Sequence, residues 1–282
     1  MSRIEKPPRA VLSALLLVVL GFGASAQGLP NRSGSFKFAV IGDNGTGGKP
    51  QYEVADQMAA FHATFPFDTV IMLGDNMYGA QKPQDFVDKF ERPYHVLLAA
   101  GVRFYASLGN HDRQENRSYP PFNMGGERYY TYVKSNVRFF VLDSDLLDPK
   151  QVEWLESALK NSSDEWKICY FHHPLYSDGR THGSQVDLRV LLEPLFVKYG
   201  VNVVFSGHDH IYERIKPQKG IYYFVSGAGG QIRQGDLTPS AITAAAFDQD
   251  QSFMLVEVDG SEMWFAAVSR SGRTVDSGTI RR

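Results

Sequence analysis

Short apolar runs alternate along the chain with stretches whose apolar residues recur at helical period. Residues 36–41 (FKFAVI) and 69–73 (TVIML) pattern as buried strands, with a helix predicted at 52–62 between them. Helical segments over 83–100 lead to a third strand at 104–108, and 129–133 with 137–142 pattern as a hairpin. An amphipathic helix follows at 149–160, with Val152, Leu155 and Leu159 on its apolar side. A strand at 166–171, a helix at 186–199 and a strand at 201–205 continue the alternation, and 222–225, 252–258 and 262–268 pattern as strands. This order predicts an α/β fold: two packed β-sheets flanked by helices, with a more antiparallel tail. No Pro/Ser-rich linker, charge block or short repeat divides residues 36–282, which are expected to form a single domain.

The amino terminus follows a different pattern. Arg3, Lys6 and Arg9 precede an apolar run over 10–20, and Ala24-Ser25-Ala26 closes the segment. A basic region, a short apolar core and an A-x-A site predict a signal peptide over 1–26, cleaved before Gln27. A membrane anchor is the competing reading, but the strongly apolar stretch is shorter than the roughly 18–20 residues a span requires. The expected product is secreted or periplasmic, without a stable membrane anchor, and 27–35 form a short linker to the domain.

Composition narrows the chemistry. The 282 residues are 43% hydrophobic and 21% charged with a net charge of -2, so no basic footprint for nucleic acid is present. One cysteine, Cys169, excludes an internal disulfide and a thiolate zinc site, and its place in an apolar strand marks it as a packing residue. Any metal must be held by His, Asp, Asn or Tyr.

Candidates for that role gather at strand ends: Asp43, Asp75 with Tyr78, Asn110 with His111, His172 with His173, and His208 with His210. Singly, each has an ordinary reading. Asp43 in Gly-Asp-Asn-Gly suits a turn, Asp75 an N-cap, Asn110 a loop and Tyr78 the core. Together they follow, in chain order, the ends of five apolar strands, and α/β sheets form their ligand sites at the carboxyl ends of strands. Two neighbouring cations need a bridging carboxylate with N and O ligands around it, and this donor set suits Fe, Zn or Mn. On extended backbone the imidazoles of Gly-His-x-His would point to opposite sides and serve different ions.

Gly42-Asp43, Gly74-Asp75-Asn76-Met77-Tyr78, Gly109-Asn110-His111-Asp112, His172-His173-Pro174 and Gly207-His208-Asp209-His210 resemble the motifs of the calcineurin-like metallophosphoesterases. More narrowly they resemble the purple acid phosphatases, in their small mammalian-type and bacterial form. Many relatives carry Asp-x-His at the first motif, whereas Gly45 stands here and Tyr78 takes the place of the missing ligand. The run from Gly207 to Arg214 (GHDHIYER) also matches. The resemblance implies the family's sandwich fold, with Fe(III) held by Asp43, Asp75, Tyr78 and His210. It implies Fe(II), Zn(II) or Mn(II) held by Asp75, Asn110, His172 and His208. His111 and His182 resemble the family's phosphate-site histidines, expected to stabilise the transferring group and protonate the leaving oxygen. His173 either lines the site or packs, and His62 and His95 read as structural or surface residues. The implied activity is an exported acid phosphatase that hydrolyses phosphate monoesters by metal-hydroxide in-line attack on a small phosphorylated substrate. The alternative is a phosphodiesterase or nucleotide hydrolase on the same site. Asn31, Asn116 and Asn161 head glycosylation triplets, which matter only in a eukaryotic secretory pathway.

Overall fold

The computed structural model describes Met1 and residues 28–282, so the expected signal segment, Met1 aside, lies outside the described residues. β1 (Phe36–Ile41) is buried along its whole length and uses both faces. Phe36, Phe38 and Val40 enter a core between two sheets, while Ala39 and Ile41 pack toward helices. That two-sided burial explains the continuous apolar run in the sequence.

β1 pairs in parallel with β2 (Thr69–Met72) across α1 (Lys49–His62), and β2 pairs in parallel with β3 (Arg103–Ala106). Helix α1 starts three residues before the sequence pattern suggests, because Pro50 sits in its first turn, where a missing N–H costs nothing. Its Val54, Ala55, Met58 and Phe61 cover the outer face of the sheet. The helical segments expected over 83–100 are short and separate. α2 (Pro83–Phe86) runs into a π-helical turn, Val87–Glu91, and α3 (His95–Ala99) follows separately.

The chain then builds a second sheet. β4 (Tyr130–Lys134) and β5 (Val137–Val141) form the expected hairpin. α4 (Pro149–Lys160) leads to β6 (Trp166–Tyr170), and α5 (Val186–Tyr199) to β7 (Val203–Ser206), all in parallel with β5. β8 (Tyr212–Gln218) and β9 (Ile221–Ser226) form an antiparallel pair, and β10 (Thr243–Phe247) closes that edge. β11 (Ser252–Asp259) pairs antiparallel with β1, and β12 (Glu262–Ser269) and β13 (Thr274–Arg281) continue it as an antiparallel meander. The sheet orders are β13-β12-β11-β1-β2-β3 and β10-β8-β9-β7-β6-β5-β4. The two sheets face each other across an apolar core, with α1 outside one and α4 and α5 outside the other. Cys169 is buried beneath α4 and α5, as expected of a packing residue.

Residues 31–35 are tied down at the foot of the sheet. The buried Glu257 carboxylate accepts from Asn31 N at 2.7 Å, Arg32 N at 2.5 Å and the Ser35 hydroxyl at 2.7 Å. Among the described residues, no helix is long and apolar enough to cross a membrane. The parallel strands β1, β2, β3, β6 and β7 all point their carboxyl ends to one edge, so the loops that follow them meet there.

Candidate metal centre

Two of the loops meet without a side chain between them. Gly45 N donates to Asp75 O at 3.2 Å, and Tyr78 N donates to Gly45 O at 3.0 Å. A Cβ at position 45 would lie 1.9 Å from the Asn76 carbonyl oxygen, so only glycine permits this approach. The contact brings Tyr78 inward. Its hydroxyl donates to Asp43 Oδ1 at 3.4 Å and lies 3.3 Å from His210 Nε2. His210 Nε2 is itself 3.4 Å from Asp43 Oδ1, and Asp43, Asp75 and His210 bring ligand atoms within 4.8 Å of one another. The π-helical turn supports the same loop, because its Lys89 ammonium donates to Tyr78 O at 2.7 Å.

A second group adjoins the first. His172 Nδ1 lies 2.9 Å from Leu73 O, which fixes the proton on that nitrogen and leaves a lone pair on Nε2. That lone pair faces Asn110 Oδ1 at 3.0 Å, His208 Nδ1 at 3.1 Å and Asp75 Oδ1 at 3.5 Å. All seven residues expected to hold metal therefore converge, with Asp75 common to both groups. His208 and His210 do reach different groups, but not through extended backbone. His208 has φ 69°, so a left-handed bend separates the two rings. Asp43 (φ 53°) and Asp75 (φ 52°) are left-handed as well.

The donor set fits cations on physical grounds. Asp43 and Asp75 are buried, and neither has a Lys or Arg partner among the described residues. Burial, then the neighbouring Asp75, pushes the Asp43 carboxyl well above its ordinary range. Burial, then Asp43 and Asp75, raises the Tyr78 phenol too. The imidazoles move the opposite way. Burial, then the adjacent rings, drives His172 well below its usual value and His208 to about 2. Burial, then the Arg233 charge, lowers His210 to about 4. Neutral imidazole lone pairs and buried carboxylates aimed at common points lack a counter-charge that bound cations would supply.

The two expected phosphate-site histidines are exposed on the rim. The His111 ring is 4.9 Å from the Tyr78 ring, and the His182 ring is 4.1 Å from the His208 ring. His173 both lines the site and packs. Its ring lies 4.3 Å from that of His208, and its Nδ1 is 2.9 Å from the Ser144 hydroxyl. His62 packs edge-on against Phe67, and His95 is exposed outside the centre. Asn116 is buried with its amide donating to Gln81 and Asp112, so its triplet is closed to glycosylation in the fold.

Two acidic residues inside the quoted motifs have roles that sequence did not reveal. Buried Asp112 accepts from Asn76 N, Met77 N and Gly109 N at 3.0–3.1 Å and so clamps the second and third loops. Burial, then Asp75, pushes its carboxyl up to about 7. Asp209 Oδ2 accepts from the Ser177 hydroxyl at 2.5 Å and Gly183 N at 3.2 Å, on the loop that carries His182. In the Tyr212-Glu213-Arg214 run, Tyr212 and Arg214 both bind the Asp276 carboxylate at 2.7 Å. That run therefore fastens β8 to β13.

Comparison with known proteins agrees with this geometry. Residues 36–212 match the family model described as calcineurin-like phosphoesterase. Purple acid phosphatase 17 of Arabidopsis thaliana is 28% identical, over 83% of this chain and 82% of its own. Human tartrate-resistant acid phosphatase type 5 is 25% identical over 94% of each chain. The purple acid phosphatase PPD1 from yellow lupin (Lupinus luteus) seeds shares the fold at TM-score 0.76 and 21% identity, over 90% of this chain and 55% of that one.

Proposed function

The chain belongs to the calcineurin-like phosphoesterase family, and from that premise we propose that it is an exported acid phosphatase of the purple type, a metal-dependent hydrolase of phosphate monoesters. One observation carries the finer reading: the Tyr78 hydroxyl meets Asp43 and His210, and Gly45 leaves no room for a side chain in its place. Asp43, Asp75, Tyr78 and His210 would hold Fe(III). Asp75, Asn110, His172 and His208 would hold Fe(II), Zn(II) or Mn(II). When bound, the ions supply Lewis-acid polarisation of the phosphoryl oxygens and an activated water.

The side chains supply the rest. The second ring nitrogen of His172 is committed to Leu73 O, so the ring cannot turn away from Asn110 and Asp75. His111, its backbone N–H donating to Asp75 Oδ1 at 2.9 Å, stands beside Tyr78, and His182 stands beside His208. From there an imidazolium can bind a phosphoryl oxygen or deliver a proton to the departing alkoxide. The signal-like pattern over 1–26 supports a secreted or periplasmic location. Protein purified without chelator should contain iron and show a visible charge-transfer band that Tyr78→Phe abolishes. A colourless, iron-free wild type with full phosphatase activity refutes the purple-type reading.

A further inference from the structure

Arg233 lies beyond residues 36–212, on the loop between β9 and β10, and no sequence motif marks it. Its backbone N–H donates to the His210 carbonyl at 3.1 Å, which places the residue against one edge of the centre. Arg233 is half-buried, its Nη1 is fully buried, and that nitrogen has no hydrogen-bond partner in the protein. No carboxylate among the described residues pairs with it.

The nearest acid in the loop, Asp236, is committed elsewhere. Its Oδ1 accepts from the Thr181 hydroxyl at 2.6 Å, and its backbone oxygen accepts from Arg180 N at 2.9 Å. These bonds join the Arg233 loop to the one that carries His182 and hold both at the opening. Burying an unpaired guanidinium nitrogen is costly, and cations in the centre would add repulsion. An anion arriving from solvent removes both penalties. Guanidinium is also the side chain best matched to phosphate oxygens.

We propose that Arg233 contacts the substrate phosphate and selects dianionic phosphate monoesters over singly charged phosphodiesters. The inference rests on the phosphatase reading above and adds to it the residue that reads substrate charge. A doubly ionised monoester offers one more negative charge and one more non-bridging oxygen than a diester, so a cation beside the centre favours it.

The test compares wild type, Arg233→Gln and Arg233→Lys on mono-aryl and bis-aryl phosphates, with calorimetric titration of inorganic phosphate and metal analysis on each. In Arg233→Gln the ratio of monoester to diester kcat/KM should fall about tenfold or more, and phosphate should bind about tenfold more weakly, as for one lost charge-assisted hydrogen bond. Arg233→Lys should recover part of both, and metal content should be that of wild type. An unchanged ratio and unchanged phosphate affinity overturn the inference alone. Metal loss in proportion to the phosphate defect also overturns it, because Arg233 would then serve only to seat His210. A wild type that hydrolyses neither ester overturns the phosphatase reading, and this inference with it.

Discussion

Gly45→Ala tests whether the Tyr78 side of the centre exists because position 45 carries no side chain. The added Cβ would lie 1.9 Å from the Asn76 oxygen, 2.2 Å from its carbonyl carbon and 2.4 Å from Met77 N. All three are backbone atoms, so no rotamer change relieves the clash. The 76–78 segment must withdraw by about 1 Å or more to reach van der Waals contact. Withdrawal breaks the bonds from Gly45 N to Asp75 O and from Tyr78 N to Gly45 O. It also carries the Tyr78 hydroxyl away from Asp43 and His210, from which it is 3.4 and 3.3 Å.

Overpacking of this kind costs about 1–3 kcal/mol, and a domain of this size loses roughly 2–4 °C of melting temperature per kcal/mol. A displacement of about 1 Å in a positioned group costs about a hundredfold in rate. The variant should therefore fold, melt several degrees lower, lose the visible band and retain about a hundredth of kcat. Gly45→His, which restores the residue many relatives carry, should fail in the same way, because the Cβ alone produces the clash. Melting, iron content, the visible spectrum and aryl-phosphate turnover measure each part. A Gly45→Ala protein with wild-type band, iron and kcat refutes the steric argument.

Asp209→Ala removes the acceptor for Ser177 and Gly183, so amide hydrogen exchange over 177–184 should accelerate and turnover should fall with the displaced His182. Unchanged exchange there would show that other contacts hold the loop. Glu213 is buried, and burial pushes its carboxyl up to about 7 from an unfolded value near 4.5. The folded state holds that proton more tightly, so this residue's stabilising effect is full below about pH 4.5 and is lost as pH rises through 7. Glu213→Gln stays neutral and should gain on wild type between pH 5 and 8, by up to about 3 kcal/mol. A melting difference independent of pH rules out that titration.

The sequence pattern located the strands that two helical layers cover, because burial on both faces writes itself as uninterrupted apolar runs such as 36–41 and 69–73. It passed over β8, β10 and β13, where Pro217, the alanines of 244–246 and the polar 276–279 carry little periodicity and pairing partners supply the order. The convergence of the seven expected ligands was legible because each follows the end of a buried strand. The turns that aim them were not. Asp43, Asp75 and His208 occupy left-handed backbone, a conformation only weakly encoded by residue type, and the extended geometry assumed for Gly-His-x-His does not occur. Arg233 lay beyond sequence reasoning for a related reason: its place depends on Asp236 closing one loop onto another. Left-handed backbone at a non-glycine residue costs of order 1–3 kcal/mol, less for aspartate, and two buried carboxylates without a basic partner add a larger penalty. Both costs fall on the residues that meet at the centre, and neither improves packing anywhere else. Two buried carboxylates without a basic partner at one sheet edge need a compensating interaction there. Cations held by those carboxylates would supply it, so removing metal should destabilise the strand-end loops before it disturbs the core between the sheets.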